Sequence, residues 1–279
     1  MFDFEIERFN IRAHNHLPLV FIGGPCVLEE NGSYLETAGE LKDICGRLGI
    51  PYIFKSSYDK ANRSSIHSYR GPGLSRGEEM LAEVKARFQI PILTDVHSVR
   101  EIELIGDVVD VIQIPAFLSR QTDMITASAQ KGRPVNIKKG QFLSPWDFKN
   151  VIEKFRAGGG RWLLATERGS SFGYNNLVVD MRSISVLKSF GVPVCFDATH
   201  SVQLPGGMGN ASGGQREFVV PLSMSAVAQG ISALFWEVHP QPEAALSDGP
   251  NMMPLSEVYD ALKEVKALDD FVKSRSSKF

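Results

Sequence analysis

The chain has 279 residues, with 30 basic and 32 acidic side chains and a formal net charge of -2. That balance lacks the cationic excess of a surface that wraps a polyanion, so nucleic acid is not an expected partner. The three cysteines, Cys26, Cys45 and Cys195, are odd in number and without paired spacing, which points to a reducing compartment, the cytosol. No apolar run approaches the roughly 18 residues needed to cross a bilayer. The N-terminal MFDFEIERFNIRAHNHLP lacks a basic stretch followed by an apolar one, so no targeting segment and no membrane partner are expected.

Short β-branched or aromatic runs recur along the chain, each followed by a segment with helical apolar spacing. The runs are Leu17 to Gly23, Tyr52 to Lys55, Ile92 to Asp95, Val109 to Ile114, Val135 to Lys138, Trp162 to Glu167, Val194 to Asp197 and Ala233 to Val238. Helices are expected over Tyr34 to Leu48, Glu78 to Phe88, Thr122 to Lys131 and Pro145 to Phe155. The last has Ser144 as its expected N-cap, Pro145 as its first residue and Gly158-Gly159-Gly160 as its stop. Residues 1–16 are expected to form a small extension closing one end. Cys45 on a helix and Cys195 within a strand read as core.

Alternation of strand and helix implies a parallel sheet flanked by helices, and a count of eight favours closure into a single-domain (β/α)8 barrel over residues 1–279. The competing open sheet would want Gly-x-Gly-x-x-Gly after its first strand, where the chain has Gly23-Gly24-Pro25. In a barrel the active site stands at the C-terminal strand ends. There the chain places Cys26, Lys55, Lys60, Asp95 with His97, Gln113, Lys138, Arg168, Asp197 with His200, and Glu237 with His239.

Lys55, Lys60, Lys138 and Arg168 converge in this reading. Two cations about 6 Å apart repel by roughly 3 kcal/mol at an effective dielectric near 20, so the cluster favours a ligand bearing carboxylate and phosphate. The alternative pairs each cation with a neighbouring acid such as Asp59 or Glu167. The long loop from Ser56 to Gly73 contains hydroxyls, an amide and two arginines, Arg63 and Arg70, and suits a second phosphate. Two anion sites imply two substrates.

The segments KANRSSIHSYRGPG, GGPCVLE, TDVH, DVIQIPAFLSRQTD, NIKKGQF, ERGSSFGYNNLVVDM, FDATHSVQ, ASGGQRE and EVHPQPEAALSDGP together resemble the 3-deoxy-D-manno-octulosonate 8-phosphate synthase family, from about Leu17 to the C-terminal helix. The resemblance implies a (β/α)8 barrel, typically a homotetramer, joining phosphoenolpyruvate to D-arabinose 5-phosphate with release of phosphate, on the way to the acidic sugar of the lipopolysaccharide inner core. By this likeness Lys55, Lys60, Gln113, Lys138 and Arg168 hold phosphoenolpyruvate. Asn62, Arg63 and Ser64 hold the sugar phosphate, with Arg63 reaching a neighbouring subunit, and Asp95 joins the substrate-binding set.

The family has a metal-dependent and a metal-independent branch. Cysteine at position 26 is similar to the metal branch, where the other carries asparagine, whereas Asp248-Gly249-Pro250 followed by Asn251 is similar to the metal-free branch. The implied ligands are Cys26, His200, Glu237 and Asp248, a donor set that suits zinc, iron or manganese. Without the resemblance, a lone cysteine after Gly-Gly-Pro is more often a small packed residue. Catalytic roles are expected for Lys60, His200, Asp248 and Cys26. The Gly-rich stretch from Gly206 to Gly214 is expected to be a lid and not a nucleotide loop, since it opens no helix of a βαβ unit. Two rival functions are 3-deoxy-D-arabino-heptulosonate 7-phosphate synthase, which takes erythrose 4-phosphate, and a catalytically inactive barrel that binds sugar phosphates.

Overall fold

Every residue of the eight main strands is buried, because in a closed barrel one face of each strand meets the bore and the other meets the helices. The strands are β1 (Val20–Gly24), β2 (Tyr52–Lys55), β3 (Ile92–Asp95), β4 (Val111–Ile114), β5 (Val135–Lys138), β6 (Leu163–Glu167), β7 (Val194–Asp197) and β8 (Ala233–His239). In this computed structural model, which describes residues 2–63, 65–206 and 213–276, they pair in parallel in chain order. β8 pairs with both β7 and β1, which closes the ring. The expected (β/α)8 barrel is the observed fold.

Between and after the strands run α1 (Ser33–Leu48), α2 (Leu74–Phe88), α3 (Val99–Leu104), α4 (Thr122–Gln130), α5 (Phe148–Ala157), α6 (Arg182–Ser189), α7 (Val219–Ala228) and α8 (Val258–Ser276). Each turns an apolar stripe to the barrel, as α1 does with Tyr34, Ala38, Leu41 and Cys45. Among the described residues no helix is long and apolar enough to cross a membrane.

The two faces of the wall form two separate cores. Val20, Ile22, Ile53, Leu93, Val111, Leu164, Cys195, Ala233 and Phe235 fill the bore. Their strand neighbours Phe21, Tyr52, Phe54, Ile92, Ile112, Leu163, Phe196, Leu234 and Trp236 pack outward under the helices with Cys45. The alternation follows from the two-residue period of a strand. The N-terminal strands Phe4–Ile6 and Ile11–Ala13 make an antiparallel hairpin. Its Phe4, Ile6, Ile11 and Ala13 join the bore cluster, so the hairpin seals the end opposite the strand C-termini. At that other end Gly24 admits β2: a Cβ there would lie 2.1 Å from the Lys55 carbonyl oxygen.

Several expected boundaries move, among them the start of α2, at Leu74 and not Glu78. β1 starts at Val20 and not Leu17, whose N–H turns back to the His14 carbonyl at 3.0 Å, while the Leu19 N–H goes to the Asp269 carboxylate at 2.9 Å. β4 starts at Val111 and not Val109, which bonds back to Gly106. Ser144 does not cap α5. Its hydroxyl accepts the Trp146 N–H at 3.2 Å and its carbonyl the Asp147 N–H at 3.1 Å, closing a separate turn before the helix begins at Phe148. A serine side chain offers the backbone that alternative to helix. The expected stop holds, with α5 ending at Ala157 before Gly158 and Gly159 at φ +83°.

Phe4 is 1% exposed within the bore cluster. Replacing it with alanine is expected to lower unfolding stability by about 3 kcal/mol or more, read by denaturant titration, while the distant strand C-termini keep their geometry. An unchanged midpoint would show that the hairpin does not seal the barrel.

Candidate active site

The same alternation that fills the bore with apolar side chains also aims the polar strand ends. Lys55 lies two residues beyond Ile53, Asp95 beyond Leu93, Gln113 beyond Val111, Asp197 beyond Cys195 and Glu237 beyond Phe235, so all face the bore. Lys138 and Arg168 follow the inward Asn136 and Thr166. A hydrogen-bonded tier supports them: Thr166 Oγ1 donates to Asn136 Oδ1 at 2.5 Å and Asn136 Nδ2 to Gln113 Oε1 at 3.0 Å. Above it opens a cavity of about 460 Å³ that Lys55, Lys60, Asn62, Arg63, Asp95, His97, Gln113, Lys138, Arg168, His200 and Asp248 all line.

Most of the cations here have carboxylate partners, though not those foreseen. Glu237 Oε1 lies 3.5 Å from Lys55 Nζ and 3.6 Å from Lys60 Nζ. Lys138 Nζ lies 2.5 Å from Asp197 Oδ2 and 4.0 Å above the centre of the Phe235 ring. Asp59 and Glu167 pair elsewhere, with Arg70 and Lys139. Arg168 is the exception. It is 5% exposed, its guanidinium donates to the Gln203 side-chain oxygen at 2.9 Å and the His200 carbonyl at 3.3 Å, and no carboxylate stands within 4.0 Å of it among the described residues. Burial lowers its pKa.

The carboxylates stay ionised despite burial. Burial pushes Glu237 up, but His200, Lys60 and Lys55 prevail and bring it down to about 2. Burial likewise opposes ionisation of Asp95, but the hydrogen bond to His97 and the charges of Lys55 and Lys60 hold it well below its ordinary range. Ser57 Oγ donates to Asp95 Oδ1 at 2.5 Å and His97 Nε2 lies 3.0 Å from Oδ2. Asp197 caps the four-residue helix Ala198–Ser201 by accepting the His200 N–H at 2.9 Å. Its other oxygen sits 2.8 Å from His200 Nδ1, which fixes the imidazole.

Cys26, Glu237 and Asp248 bring a sulfur and two carboxylate oxygens within 4.8 Å of one another. The fourth expected ligand, His200, joins through Glu237, with Nε2 3.5 Å from Oε1, and stands outside the mutual group of three. Cys26 Sγ lies 2.8 Å from Ser247 Oγ and 3.4 Å from Asp248 Oδ2, and Gln203 Nε2 donates to that same oxygen at 3.0 Å. Burial, then Asp248 and Glu237, raise the thiol well above its ordinary pKa.

In the loop after β2, Arg63 turns into its own mouth: Nε donates to the Tyr69 carbonyl at 3.1 Å, NH2 to the Leu246 carbonyl at 3.1 Å, and NH1 lies 3.9 Å from Asp248. Arg70 is exposed and bidentate to Asp59, which removes it from the site. Ser64 and residues 207–212 of the expected lid lie outside the described residues. Gln141 and Gln203 were not foreseen as cavity-lining residues. Gln203 lies within FDATHSVQ and Gln141 within NIKKGQF, so both could have been found by extending the strand-end reading a few residues into the loops. Cys45 and Cys195 are buried core, as expected, and all three cysteines are unpaired.

The pattern of the DAHP synthetase I family matches residues 3–274. The chain is 60% identical over 260 residues to a 2-dehydro-3-deoxyphosphooctonate aldolase of Azoarcus sp. (strain BH72), covering 92% of this chain and 93% of that protein. It is 57% identical over 255 residues to one from Trichlorobacter lovleyi, covering 91% and 94%. To one from Geotalea daltonii it is 54% identical over 269 residues, covering 96% and 99%. With a barrel mouth holding these groups and relatives this similar over nearly their whole length, the chain belongs to the DAHP synthetase I family, among its 2-dehydro-3-deoxyphosphooctonate aldolases.

Proposed function

We propose that the chain condenses phosphoenolpyruvate with D-arabinose 5-phosphate and water, giving 3-deoxy-D-manno-octulosonate 8-phosphate and inorganic phosphate for lipopolysaccharide inner-core synthesis. The observation that carries this reading is Arg168, a buried guanidinium with only neutral oxygens as hydrogen-bond partners among the described residues, beside Lys138, Lys55 and Lys60. Such a cation calls for an anion from outside, and its planar fork suits carboxylate or phosphate. The activity named for its relatives supports the same reaction.

In this reading Lys55, Lys60, Gln113, Lys138 and Arg168 bind phosphoenolpyruvate, while Asn62, Arg63 and Ser64 bind the sugar phosphate. C3 of the enol attacks the aldehyde carbon, water adds at C2, and the bond from C2 to the phosphate oxygen breaks as phosphate leaves. The residues of the mouth bring both substrates into one cavity and stabilise the moving charge with fixed cations, Lys60 among them. His200, held at Nδ1 by Asp197, and Asp248 are the groups placed to move a proton.

Cys26, Glu237 and Asp248, with His200 beside Glu237, fit a divalent first-row ion such as zinc, iron or manganese. The fit rests on the donor set, a thiol sulfur and two carboxylate oxygens within 4.8 Å of one another. Such an ion would polarise the aldehyde oxygen or orient water. We place the chain in the metal-dependent branch on Cys26, in the cytosol on its odd, unpaired cysteines, and in a homotetramer. Association is supported by large apolar side chains exposed on loops beside the mouth: Phe117, Phe142, Trp146, Phe172 and Tyr174.

Phosphate release is expected with D-arabinose 5-phosphate and not with erythrose 4-phosphate; preference for the four-carbon sugar would assign the rival synthesis, and ligand binding without turnover an inactive barrel. Arg63→Ala is expected to raise KM for the sugar phosphate about tenfold or more, with KM for phosphoenolpyruvate little changed. Chelation is expected to abolish turnover, with recovery on adding zinc, iron or manganese, and Cys26→Asn to abolish stoichiometric metal binding measured by elemental analysis. Full activity of metal-stripped protein would refute the metal-dependent assignment.

A further inference from the structure

Behind the anion site, on the outer side of the wall, lies a second pair of charges. Lys138 stands opposite Thr166 in the register of β5 and β6, so the next residues, Lys139 and Glu167, face each other on the side away from the cavity. Lys139 is 0% exposed, and its Nζ lies 3.5 Å from Glu167 Oε1. A buried ammonium costs heavily unless oxygens surround it. This one donates to Ser170 Oγ at 3.1 Å, to the carbonyls of Leu143 at 3.2 Å and Gly169 at 3.3 Å, and more distantly to Gly140 at 3.4 Å.

The carboxylate grips the same stretch from the other side, since Glu167 Oε1 accepts the N–H groups of Arg168 at 3.0 Å and Gly169 at 2.7 Å. The chain must turn sharply there, with Gly169 at φ +87°. One ion pair therefore holds the backbone on both sides of Arg168, and it ties that turn to the loop carrying Gln141, whose carbonyl accepts the Ser171 N–H at 2.8 Å. Replacing a buried ion pair by neutral groups of similar volume often leaves stability unchanged, so stability alone does not account for it. What the pair fixes is the path along which Arg168 enters the mouth.

We propose that Lys139 and Glu167 are positioning residues for the anion site, setting the placement of Arg168 and so the affinity for the anionic groups of phosphoenolpyruvate. This rests on the function proposed above. The test compares wild type, Lys139→Met and the double variant Lys139→Met with Glu167→Gln, which removes both charges. Folding is checked by circular dichroism, phosphoenolpyruvate binding by calorimetry, and both KM values by steady-state kinetics. In folded variants the Kd and KM for phosphoenolpyruvate are expected to rise about tenfold or more, a change of roughly 1.4 kcal/mol, with KM for the sugar phosphate within about twofold. The double variant is expected to fold as wild type and keep the selective loss, because the loop carbonyls still lack their donor. Unchanged phosphoenolpyruvate constants in either folded variant, or an equal rise in both KM values, would overturn the inference. Wild-type protein that does not bind phosphoenolpyruvate would instead overturn the function itself.

Discussion

In a closed ring of eight parallel strands a side chain faces either the bore or the helices, and two residues later the choice repeats. That constraint sorts nearly every group considered above. Ile53, Leu93, Val111, Cys195 and Phe235 face the bore, so Lys55, Asp95, Gln113, Asp197 and Glu237 do as well. The hairpin closes one end with apolar side chains, and the polar groups collect at the other. Lys139 and Glu167 take the outer face by the same rule, behind the cavity and within reach of the loops that line it.

Charges gathered in so small a space need partners within the protein or from a ligand. Glu237 stands within 3.6 Å of Lys55, Lys60 and His200, and Asp197 serves both Lys138 and His200. Each carboxylate thus holds several cationic or hydrogen-bonding groups in place while remaining ionised. Arg168, with no carboxylate within 4.0 Å among the described residues, and Cys26, a thiol with two carboxylates close by, are two groups whose surroundings leave room for a ligand. The first favours an anion and the second a cation, in keeping with the phosphorylated substrates and the divalent ion proposed for the mouth.

The strands and their ends were legible because both signals are local: a short β-branched run and a polar residue where it stops. Tyr52–Lys55, Ile92–Asp95, Val135–Lys138 and Val194–Asp197 have their expected bounds. Boundaries moved where a distant group competed for the backbone, as Asp269 does for Leu19, or where a side chain closed its own turn, as at Ser144. The loop after β2 was legible as part of the mouth but not in detail. Nothing in its spacing separates Arg63, which enters the mouth, from Arg70, which pairs with Asp59, since both depend on how the loop folds back.

The amino-acid sequence by itself determined the eightfold alternation, the end of the barrel at which chemistry collects, and the residue types found there, because periodicity and strand termini are properties of short segments. Only the tertiary structure decided which carboxylate neutralises which cation, that Arg168 has none within 4.0 Å among the described residues, that Cys26, Glu237 and Asp248 meet while His200 stands a step aside, and that Lys139 and Glu167 lie behind the wall. Those outcomes depend on distances of a few ångströms between residues such as Cys26 and Asp248, 222 positions apart. Ring closure sets such distances, and no local pattern encodes them.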